Sequence, residues 1–487
     1  MDISKVEALT AAKASQADAN RPDAVARVRS GGRMTARERI AALLDPGSEV
    51  EFGSIAAQSA DGEWVAEAGG VDFVGTIDGR TVVASSTDYT DHGGGYGAGR
   101  LARLMSVAMD QRWPIVFFVD GGGSRARHPR VGMGHIETSG AVGPITLFDG
   151  MAELSGWVPT VAIVSGPAFA GHASLAGFSD VVITTGGSSI GMGGPPMVEA
   201  ALGKRLSATE LAGVEMHNET GGIDLLVGDE LEAIAAARRY LSYLDTVAPA
   251  RTPAGGGGAA GQPPGAARPG SVADPADLVP DDGAFDVRPV LDTLVDAGSL
   301  FELRPAFARS LITAFARIDG HPVGLIANQP TVDDGALDEN AATKVARFVE
   351  LCDSYELAVV AVVDTPGCVA SFDGGEPETA VTRWHLRAIT AHHHRSVPLC
   401  SVQLRRGRGL GHAVMAGMPN GRTIPALTLA WPGVEIGRAD GFSVVHNHNS
   451  FDDVIAPAQT RERIARMLGY LGRRPTLTTK KRPVDTW

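Results

Sequence analysis

Cysteine is scarce in this chain of 487 residues, which contains only Cys352, Cys368 and Cys400. Three widely separated cysteines do not form a disulfide framework, and they are too few for a four-thiolate zinc site. Such sparing use of cysteine is typical of a protein from a reducing compartment. The sequence therefore predicts a fold that depends on hydrophobic cores.

Long hydrophobic runs and an excess of positive charge are also missing. No apolar stretch approaches the ~20 residues that a membrane-spanning helix requires, and the polar N-terminus does not resemble a signal peptide. Acidic residues outnumber basic ones by 56 to 43, which argues against electrostatic binding of nucleic acid. We expect a soluble protein that is located in the cytoplasm.

The usual nucleotide-binding motifs are absent or misplaced. No G-x-x-x-x-G-K-[ST] loop occurs, and G-x-G-x-x-G is found only from Gly256 to Gly261, where no strand or helix is predicted on either side. The row His392-His393-His394 suggests a metal site, but adjacent side chains on a helix point in different directions. We therefore predict no metal site.

Proline, glycine and alanine dominate residues 246–282, which contain too few large apolar side chains to pack. This composition predicts a flexible linker. It divides the chain into an N-terminal domain, residues 1–245, and a C-terminal domain, residues 283–487, of similar length. With 44% hydrophobic residues overall, each domain can bury a core of its own.

The two domains also share an internal repeat. Matching segments occur in the same order at offsets of 239 to 244 residues: Ile77-Asp78-Gly79 and Ile318-Asp319-Gly320, Phe118-Val119-Asp120 and Val362-Val363-Asp364, Val158-Pro159 and Val397-Pro398, Gly171-His172-Ala173 and Gly411-His412-Ala413. Four ordered matches at a nearly constant offset indicate a duplication. In this alignment His172 and His412 occupy equivalent positions.

Short apolar runs alternate with alanine-rich amphipathic stretches within each copy. The apolar runs of the first copy are residues 115–119, 161–164 and 181–184. Because these runs are too apolar for half-exposed strands, they indicate a sheet that is covered on both faces. The sequence predicts an α/β fold, built twice.

Three glycine-rich turns stand out in the first copy, at residues 91–97, 120–125 and 166–173. Glycine allows backbone amides to approach a ligand closely, and an amide at a strand-to-helix turn lies in the positive field of the helix N-terminus. Two such amides aimed at one point could form an oxyanion hole for a thioester oxygen. Ordinary turn formation is the alternative interpretation of each of these segments.

These motifs resemble the biotin-dependent acyl-CoA carboxylase β-subunit family of the propionyl-CoA carboxylase type. The segments that carry the resemblance are residues 32–40, 43–48, 120–125, 166–180, 327–330, 338–344, 363–367 and 430–432. The resemblance implies two crotonase-like (ClpP/crotonase) domains that transfer a carboxyl group from carboxybiotin to the α-carbon of an acyl-CoA thioester. It also implies a homo-oligomer, expected to be a hexamer.

The resemblance also implies site residues. The first oxyanion hole falls on the amides of Gly171 and His172, and the second falls on Gly411 and His412 or, one residue earlier, on Leu410 and Gly411. Cofactor contacts are expected at Gly122, Gly123, Arg125, Gly409 and Leu410. No Met-Lys-Met biotinylation site and no ATP-binding domain is found, so biotin carboxylase and biotin carrier partners are expected.

Some positions depart from the family pattern. His172 stands where the family has alanine, and His385-Leu386 stands where it has Gly-Ala on the helix beside the biotin site. We expect this bulk to weaken biotin binding. Two alternatives therefore stay open, a biotin-independent enzyme acting on a thioester (a decarboxylase, hydrolase or acyl transferase) and a non-catalytic scaffold subunit. His172 and His412 are interpreted either as acid–base groups or as packing residues.

Overall fold

The computed structural model describes residues 3–58, 63–66, 69–90, 92–94, 98–122, 147–244, 268–369, 377–417, 426–437, 451–471 and 479–486. These residues form two compact units, one from residues 3–244 and the other from residues 268–485. Each unit has its own sheet and its own core. Among the described residues no helix is both long and apolar enough to cross a membrane.

The first unit combines a central sheet with helices on both sides. Its helices are α1 (Ile3–Ala14), α2 (Pro22–Ser30), α3 (Ala36–Leu43), α4 (Ala98–Gln111), α5 (Leu147–Leu154), α6 (Gly171–Phe178), α7 (Pro195–Leu202), α8 (Ala208–Ala212), α9 (Val214–Thr220) and α10 (Glu230–Ser242). Its strands are β1 (Val50–Phe52), β2 (Ile55–Gln58), β3 (Trp64–Ala66), β4 (Gly70–Ile77), β5 (Arg80–Thr87), β6 (Ile115–Phe118), β7 (Thr160–Val164), β8 (Pro167–Phe169), β9 (Val181–Thr185), β10 (Ser189–Gly191) and β11 (Leu225–Val227). Short 3-10 turns lie at Asp18–Asn20 and His92–Gly94.

The main sheet of this unit has the order β1-β4-β5-β6-β7-β9-β11. The strands β6, β7 and β9 are parallel to their neighbours and are buried along their whole length. Their continuous apolar runs therefore pack against helices on both faces, as the sequence predicted. A second small sheet pairs β8 with β10 in parallel, and β8 leads directly toward α6.

The second unit repeats the main sheet of the first with fewer helices among the described residues. Its helices are α11 (Pro275–Leu278), α12 (Arg288–Leu294), α13 (Glu339–Ser354), α14 (Pro377–His394), α15 (Gly409–Ala416) and α16 (Thr460–Leu471). Its strands are β12 (Phe301–Leu303), β13 (Leu311–Ile318), β14 (His321–Asn328), β15 (Ala358–Thr365), β16 (Leu399–Arg408), β17 (Leu427–Ala430), β18 (Glu435–Gly437) and β19 (Asp453–Val454). Its 3-10 turns lie at Asp333–Gly335 and Pro457–Gln459.

The sheet order of the second unit, β12-β13-β14-β15-β16-β17-β19, repeats that of the first strand for strand. The hairpin β4–β5 pairs Ile77 with Arg80, and the hairpin β13–β14 pairs Ile318 with His321. In the second unit β7 and β8 are merged into one long strand, β16, whose last residues pair with β18. The prediction of an α/β fold built twice is confirmed by this order.

A partly buried ionic contact at the hairpin turn is also repeated in the two units. Asp45 accepts hydrogen bonds from the amides of the β4–β5 turn, and Asp296 does the same for the β13–β14 turn. Each aspartate is paired with an arginine of the last helix in its unit, Arg238 for Asp45 and Arg461 for Asp296. These side chains fix the hairpin against the helix in both copies.

Part of the expected linker belongs to the second unit. Residues 268–282, which the composition assigned to a flexible linker, include α11, whose Pro275 is buried. Leu278 and Val279 pack against the core cluster of the second unit. A few apolar side chains at the right spacing are enough to order this segment, so composition alone placed the domain boundary too late in the chain.

Candidate active site

Three glycine-rich turns of the first unit come together at the carboxyl ends of its parallel strands. The amide of Gly121 donates to the carbonyl of Pro167 at 2.6 Å, and the amide of Phe169 donates to the carbonyl of Gly121 at 2.9 Å. The amide of Gly122 donates to the carbonyl of Gly93 at 3.3 Å. The sequence identified these turns separately, and the structure shows that backbone hydrogen bonds join them.

The turns can approach each other in this way only because Gly94 has no side chain. It has a φ of +73°, and a Cβ there would lie 2.3 Å from the carbonyl oxygen of Asp120. Any other residue would be strained in its backbone and would collide with the neighbouring turn. Gly94 therefore permits the close approach of the first two turns.

His172 connects all three turns through its side chain. The imidazole is fully buried, and its Nε2 lies 3.0 Å from the carbonyl oxygen of Gly94, to which it donates in the Nε2–H tautomer. The ring also fills the space beside Gly121, where a Cβ would lie 2.6 Å from its Nε2. Burial lowers the pKa of His172 to about 4, so the ring is neutral at pH 7.

The helix that follows begins with a strained residue. Ala170, immediately before α6, has φ 54° and ψ −119°, a conformation that residues with a side chain rarely adopt. The first amides of a helix have no partner within the helix itself, and those of α6 belong to Gly171 and the residues after it. Ala170 therefore forms the turn between Phe169, whose amide is bonded to Gly121, and the first amides of α6.

A buried ionic cluster supports the second turn from below. Asp120 is paired with Arg39 at 2.6 Å and with Arg33 at 3.5 Å, and Arg39 is also paired with Glu230 on α10. Burial alone would lower the pKa of Arg39, but the carboxylates of Asp120 and Glu230 raise it, so the guanidinium stays charged. Arg33 and Arg39 both lie in the N-terminal segment, residues 32–40, that carries the resemblance.

The second unit forms a corresponding turn at the N-terminus of α15. Gly409 has a φ of +54°, the same value as Ala170 in the first unit. A Cβ on Gly335 would lie 2.6 Å from the carbonyl oxygen of Asp364, as one on Gly94 would approach Asp120. The two turns are thus built alike, although most of their side chains differ.

The strand pairing determines how the two turns align. Phe169 pairs with Gly191, and Arg408 pairs with Gly437; likewise the bridge of Gly121 with Ala168 corresponds to that of Thr365 with Gly407. These pairs give an offset of 239 residues. The structural counterparts are therefore Gly171 with Leu410, His172 with Gly411, and Ala173 with His412.

The interpretation of His172 and His412 as equivalent residues is consequently wrong. It relied on the repeated triplet Gly-His-Ala, which requires an offset of 240 residues. The contacts agree with the strand pairing: the ring of His172 lies beside Gly121, whereas a Cβ on Gly411 would lie 3.0 Å from Cγ2 of Thr365, the counterpart of Gly121. In the first unit the helix supplies the large residue, His172, and the turn supplies Gly121. In the second unit the turn supplies the larger residue, Thr365, and the helix supplies Gly411.

Comparison with known proteins identifies the family to which this chain belongs. The carboxyl transferase domain matches residues 27–446. The methylmalonyl-CoA carboxyltransferase 12S subunit of Propionibacterium freudenreichii is 31% identical over 93% of this chain and 91% of its own length. The chain belongs to the carboxyl transferase family.

Other members of the carboxyl transferase family are similarly distant. The propionyl-CoA carboxylase β chain of Saccharopolyspora erythraea is 32% identical over 85% of this chain and 76% of its own. The crystal structure of a transcarboxylase 12S hexamer with hydrolysed methylmalonyl-coenzyme A superimposes with a TM-score of 0.79, at 31% identity, over 95% of this chain and 94% of the other. The prediction of a duplicated crotonase-like fold is confirmed at this level of similarity.

His385 and Leu386, which depart from the family pattern, face different surroundings. The side chain of His385 is buried, and its Nε2 lies 2.8 Å from the carbonyl oxygen of Leu337, so it stabilises the segment before α13. Leu386 is 51% exposed, and Leu410 on the neighbouring α15 is 53% exposed. Of the two departures in this carboxyl transferase, Leu386 therefore adds bulk at the surface, whereas His385 is a packing residue.

His412 lies in a buried polar environment of its own. A Cβ on Gly407 would lie 3.0 Å from Oε1 of Gln403 and 3.5 Å from Cδ2 of His412, so both side chains border the same space. Among the residues that the structure describes, neither Nε2 of His412 nor the amide of Gln403 has a hydrogen-bond partner. Burial lowers the pKa of His412 to about 4.

Two of the expected cofactor contacts, Gly123 and Arg125, lie outside the described residues, whereas Gly122 is part of the joined turns. The three histidines at the end of α14 do not share one environment: His392 is buried and bonds to the carbonyl of Val414, while His393 and His394 are exposed. Sequence reasoning included Gly94 in the turn at residues 91–97 without assigning it a role of its own, and it missed Gly335. Their offset of 241 residues, the same as that of the Ile-Asp-Gly turns, could have revealed them.

Proposed function

We propose that this carboxyl transferase moves a carboxyl group from carboxybiotin to the α-carbon of an acyl-CoA thioester. The observation that carries the proposal is the match of the carboxyl transferase domain over residues 27–446, together with relatives named for methylmalonyl-CoA and propionyl-CoA. The two strand-to-helix turns, each joined to glycine-rich segments, fit a reaction in which negative charge develops on a carbonyl oxygen in two places.

In this proposal the first turn receives the thioester. The amides of Gly171 and His172 at the N-terminus of α6 stabilise the enolate oxygen, because amides there carry a partial positive charge. Gly122 and the neighbouring Gly123 and Arg125 contact the coenzyme. Catalysis then depends on backbone groups, and a neutral, buried His172 agrees with this assignment.

The second turn receives the biotin ureido oxygen. The repeat offset of 239 residues favours the amides of Leu410 and Gly411, with Gly409 allowing the close approach, over the pair Gly411 and His412. Carboxybiotin supplies the carboxyl group when it is bound. The left-handed backbone of Gly409 supports this placement, and the exposed Leu386 and Leu410 would border the ligand. Biotin carboxylase and biotin carrier subunits are the partners proposed to deliver it.

The exposed Leu386 also favours a second candidate, a biotin-independent enzyme that acts on an acyl-CoA thioester on the same scaffold. Leu386 occupies a position where the resemblance leads us to expect a small residue, so biotin would have less room beside the second turn. We further propose that the chain assembles into a hexamer in the cytoplasm, because the related transcarboxylase 12S core is a hexamer.

The test is an assay of the purified full-length chain with a panel of acyl-CoA thioesters, with and without carboxybiotin, in which products are identified by mass spectrometry. Carboxylated acyl-CoA that appears only with carboxybiotin supports the leading proposal. Decarboxylation or hydrolysis at the same rate in its absence favours the second candidate. If no acyl-CoA thioester is consumed, with or without carboxybiotin, both proposals are contradicted.

A further inference from the structure

A buried carbonyl at the same place in each unit has a side-chain donor of a different kind. Gly94 and Gly335 are structural counterparts, with φ values of +73° and +78°. The carbonyl oxygen of Gly94 accepts from Nε2 of His172 at 3.0 Å, and that of Gly335 accepts from Nδ2 of Asn328 at 3.0 Å. A buried carbonyl left without a donor destabilises the fold, and each unit provides one.

The two donors come from different positions in the fold. Asn328 ends β14, and its counterpart at the end of β5 is Thr87. Both accept the amide of the following aspartate turn: Thr87 Oγ1 accepts from Asp120 at 2.7 Å, and Asn328 Oδ1 accepts from Asp364 at 3.1 Å. The hydroxyl of Thr87 donates to the carbonyl of Phe118 at 3.1 Å, so it does not provide what the amide of Asn328 provides.

The room for the imidazole is provided at the same contact. The ring of His172 occupies the space beside Gly121, where even a Cβ would lie 2.6 Å away. In the second unit the corresponding residues are Thr365 and Gly411, and the donor arrives from the strand instead. Three positions, 87, 121 and 172, thus differ together from their counterparts 328, 365 and 411.

We infer that His172 is a positioning residue, which replaces the missing asparagine amide of the first unit and holds the three glycine-rich turns in register for the thioester. The inference rests on the proposed function for what the turns bind. The imidazole acts as a fixed Nε2–H donor to Gly94 and does not exchange protons with the substrate; its depressed pKa is consistent with this.

The experiment transfers the solution of the second unit to the first. Three variants of the full-length protein are compared: His172→Ala, Thr87→Asn, and the double variant. His172→Ala removes the donor, and we expect kcat/KM for carboxyl transfer to fall roughly 10²-fold, as a displaced catalytic turn does. Thr87→Asn in the same chain restores an amide donor, and we expect the double variant to recover most of this loss.

Recovery separates positioning from acid–base chemistry, because an asparagine amide does not titrate. The double variant should show the same pH dependence of kcat/KM as the wild type. If it regains thermal stability but not activity, His172 takes part in proton transfer and the inference is wrong. If His172→Ala alone leaves both activity and stability unchanged, the Gly94 carbonyl needs no donor and the inference is equally wrong.

A readout that needs no substrate keeps this test independent of the proposed function. Amide hydrogen exchange at Gly122, whose amide is bonded to the carbonyl of Gly93, should accelerate in His172→Ala and slow again in the double variant. His412→Ala is the matched control, since it removes a buried imidazole from the other unit. Exchange that is unaltered in His172→Ala contradicts the inference even if the chain catalyses no carboxyl transfer.

Discussion

Lys344 offers a sharp test of how buried polar contacts stabilise the second unit. This residue of α13 is only 2% exposed, and its ammonium group donates to three carbonyl oxygens, those of Arg304, Phe307 and Leu311, at 2.8–2.9 Å. Arg304 and Ala308 both have positive φ values, 54° and 45°. The lysine therefore holds in place a loop whose backbone is strained.

The change to make is Lys344→Met, which keeps the length of the side chain and removes its three donors. Each buried carbonyl left without a donor costs about 1–3 kcal/mol, and removing the buried charge returns part of this loss. We expect the second unit to lose about 3–4 kcal/mol. For a unit of this size that corresponds to a fall of roughly 6–16 °C in its unfolding temperature.

Differential scanning calorimetry is the appropriate assay, because it can resolve the unfolding of the two units. Lys204→Met, at an exposed lysine of the first unit, is the matched control and should change the unfolding temperature by no more than about 1 °C. For a unit of this size, a shift of about 2 °C corresponds to a stability change of at most ~1 kcal/mol. A Lys344→Met protein whose unfolding temperature lies within about 2 °C of the wild-type value would therefore refute the assigned role.

Three further outcomes are expected. Leu386→Ala with Leu410→Gly should strengthen biotin binding in isothermal titration calorimetry, whereas His385→Gly should lower the unfolding temperature without that gain. Gln403→Val and His412→Ala each remove one of the two polar side chains that border the same buried space. In urea unfolding, the double variant should therefore be more stable than the sum of the two single effects predicts. Strictly additive effects would contradict this expectation. Since burial lowers the pKa of His412 to about 4, the unfolded chain binds a proton that the folded chain does not between pH 6.5 and 4. The free energy of unfolding should therefore decrease as the pH is lowered from 6.5 to 4, by about 1.4 kcal/mol per pH unit for this histidine. His412→Ala should make the free energy of unfolding less dependent on pH in this window.

The fold was accessible from the sequence because its determinants are local and repeated. The apolar runs at residues 115–119 and 161–164 predicted fully buried parallel strands, and the Ile-Asp-Gly turns marked the same hairpin in both copies. The boundary of the linker was less accessible. Residues 268–282 resemble the preceding segment in composition, and only the tertiary contacts of Leu278 and Val279 distinguish them.

The alignment of the two turns could not be obtained from residue identities, for a physical reason. The register of a parallel strand is set by backbone pairing, and a one-residue shift alters every side chain that follows. The triplet Gly-His-Ala matches by letter at 240 residues, but the pairing of β8 with β10 and of β16 with β18 imposes 239. The repeated histidine is thus a coincidence of sequence.

What the two copies conserve is a set of satisfied backbone groups, and different side chains satisfy them. The carbonyl of Gly94 and that of Gly335 have the same environment, yet one is bonded to an imidazole from a helix and the other to an amide from a strand. A comparison of residue types at aligned positions registers only differences there. The two sites are recognised as equivalent when the hydrogen-bond donor of each buried carbonyl is identified. A buried carbonyl without a donor destabilises either unit. For this reason His172 and Asn328, which no sequence alignment of the two units would pair, do the same work.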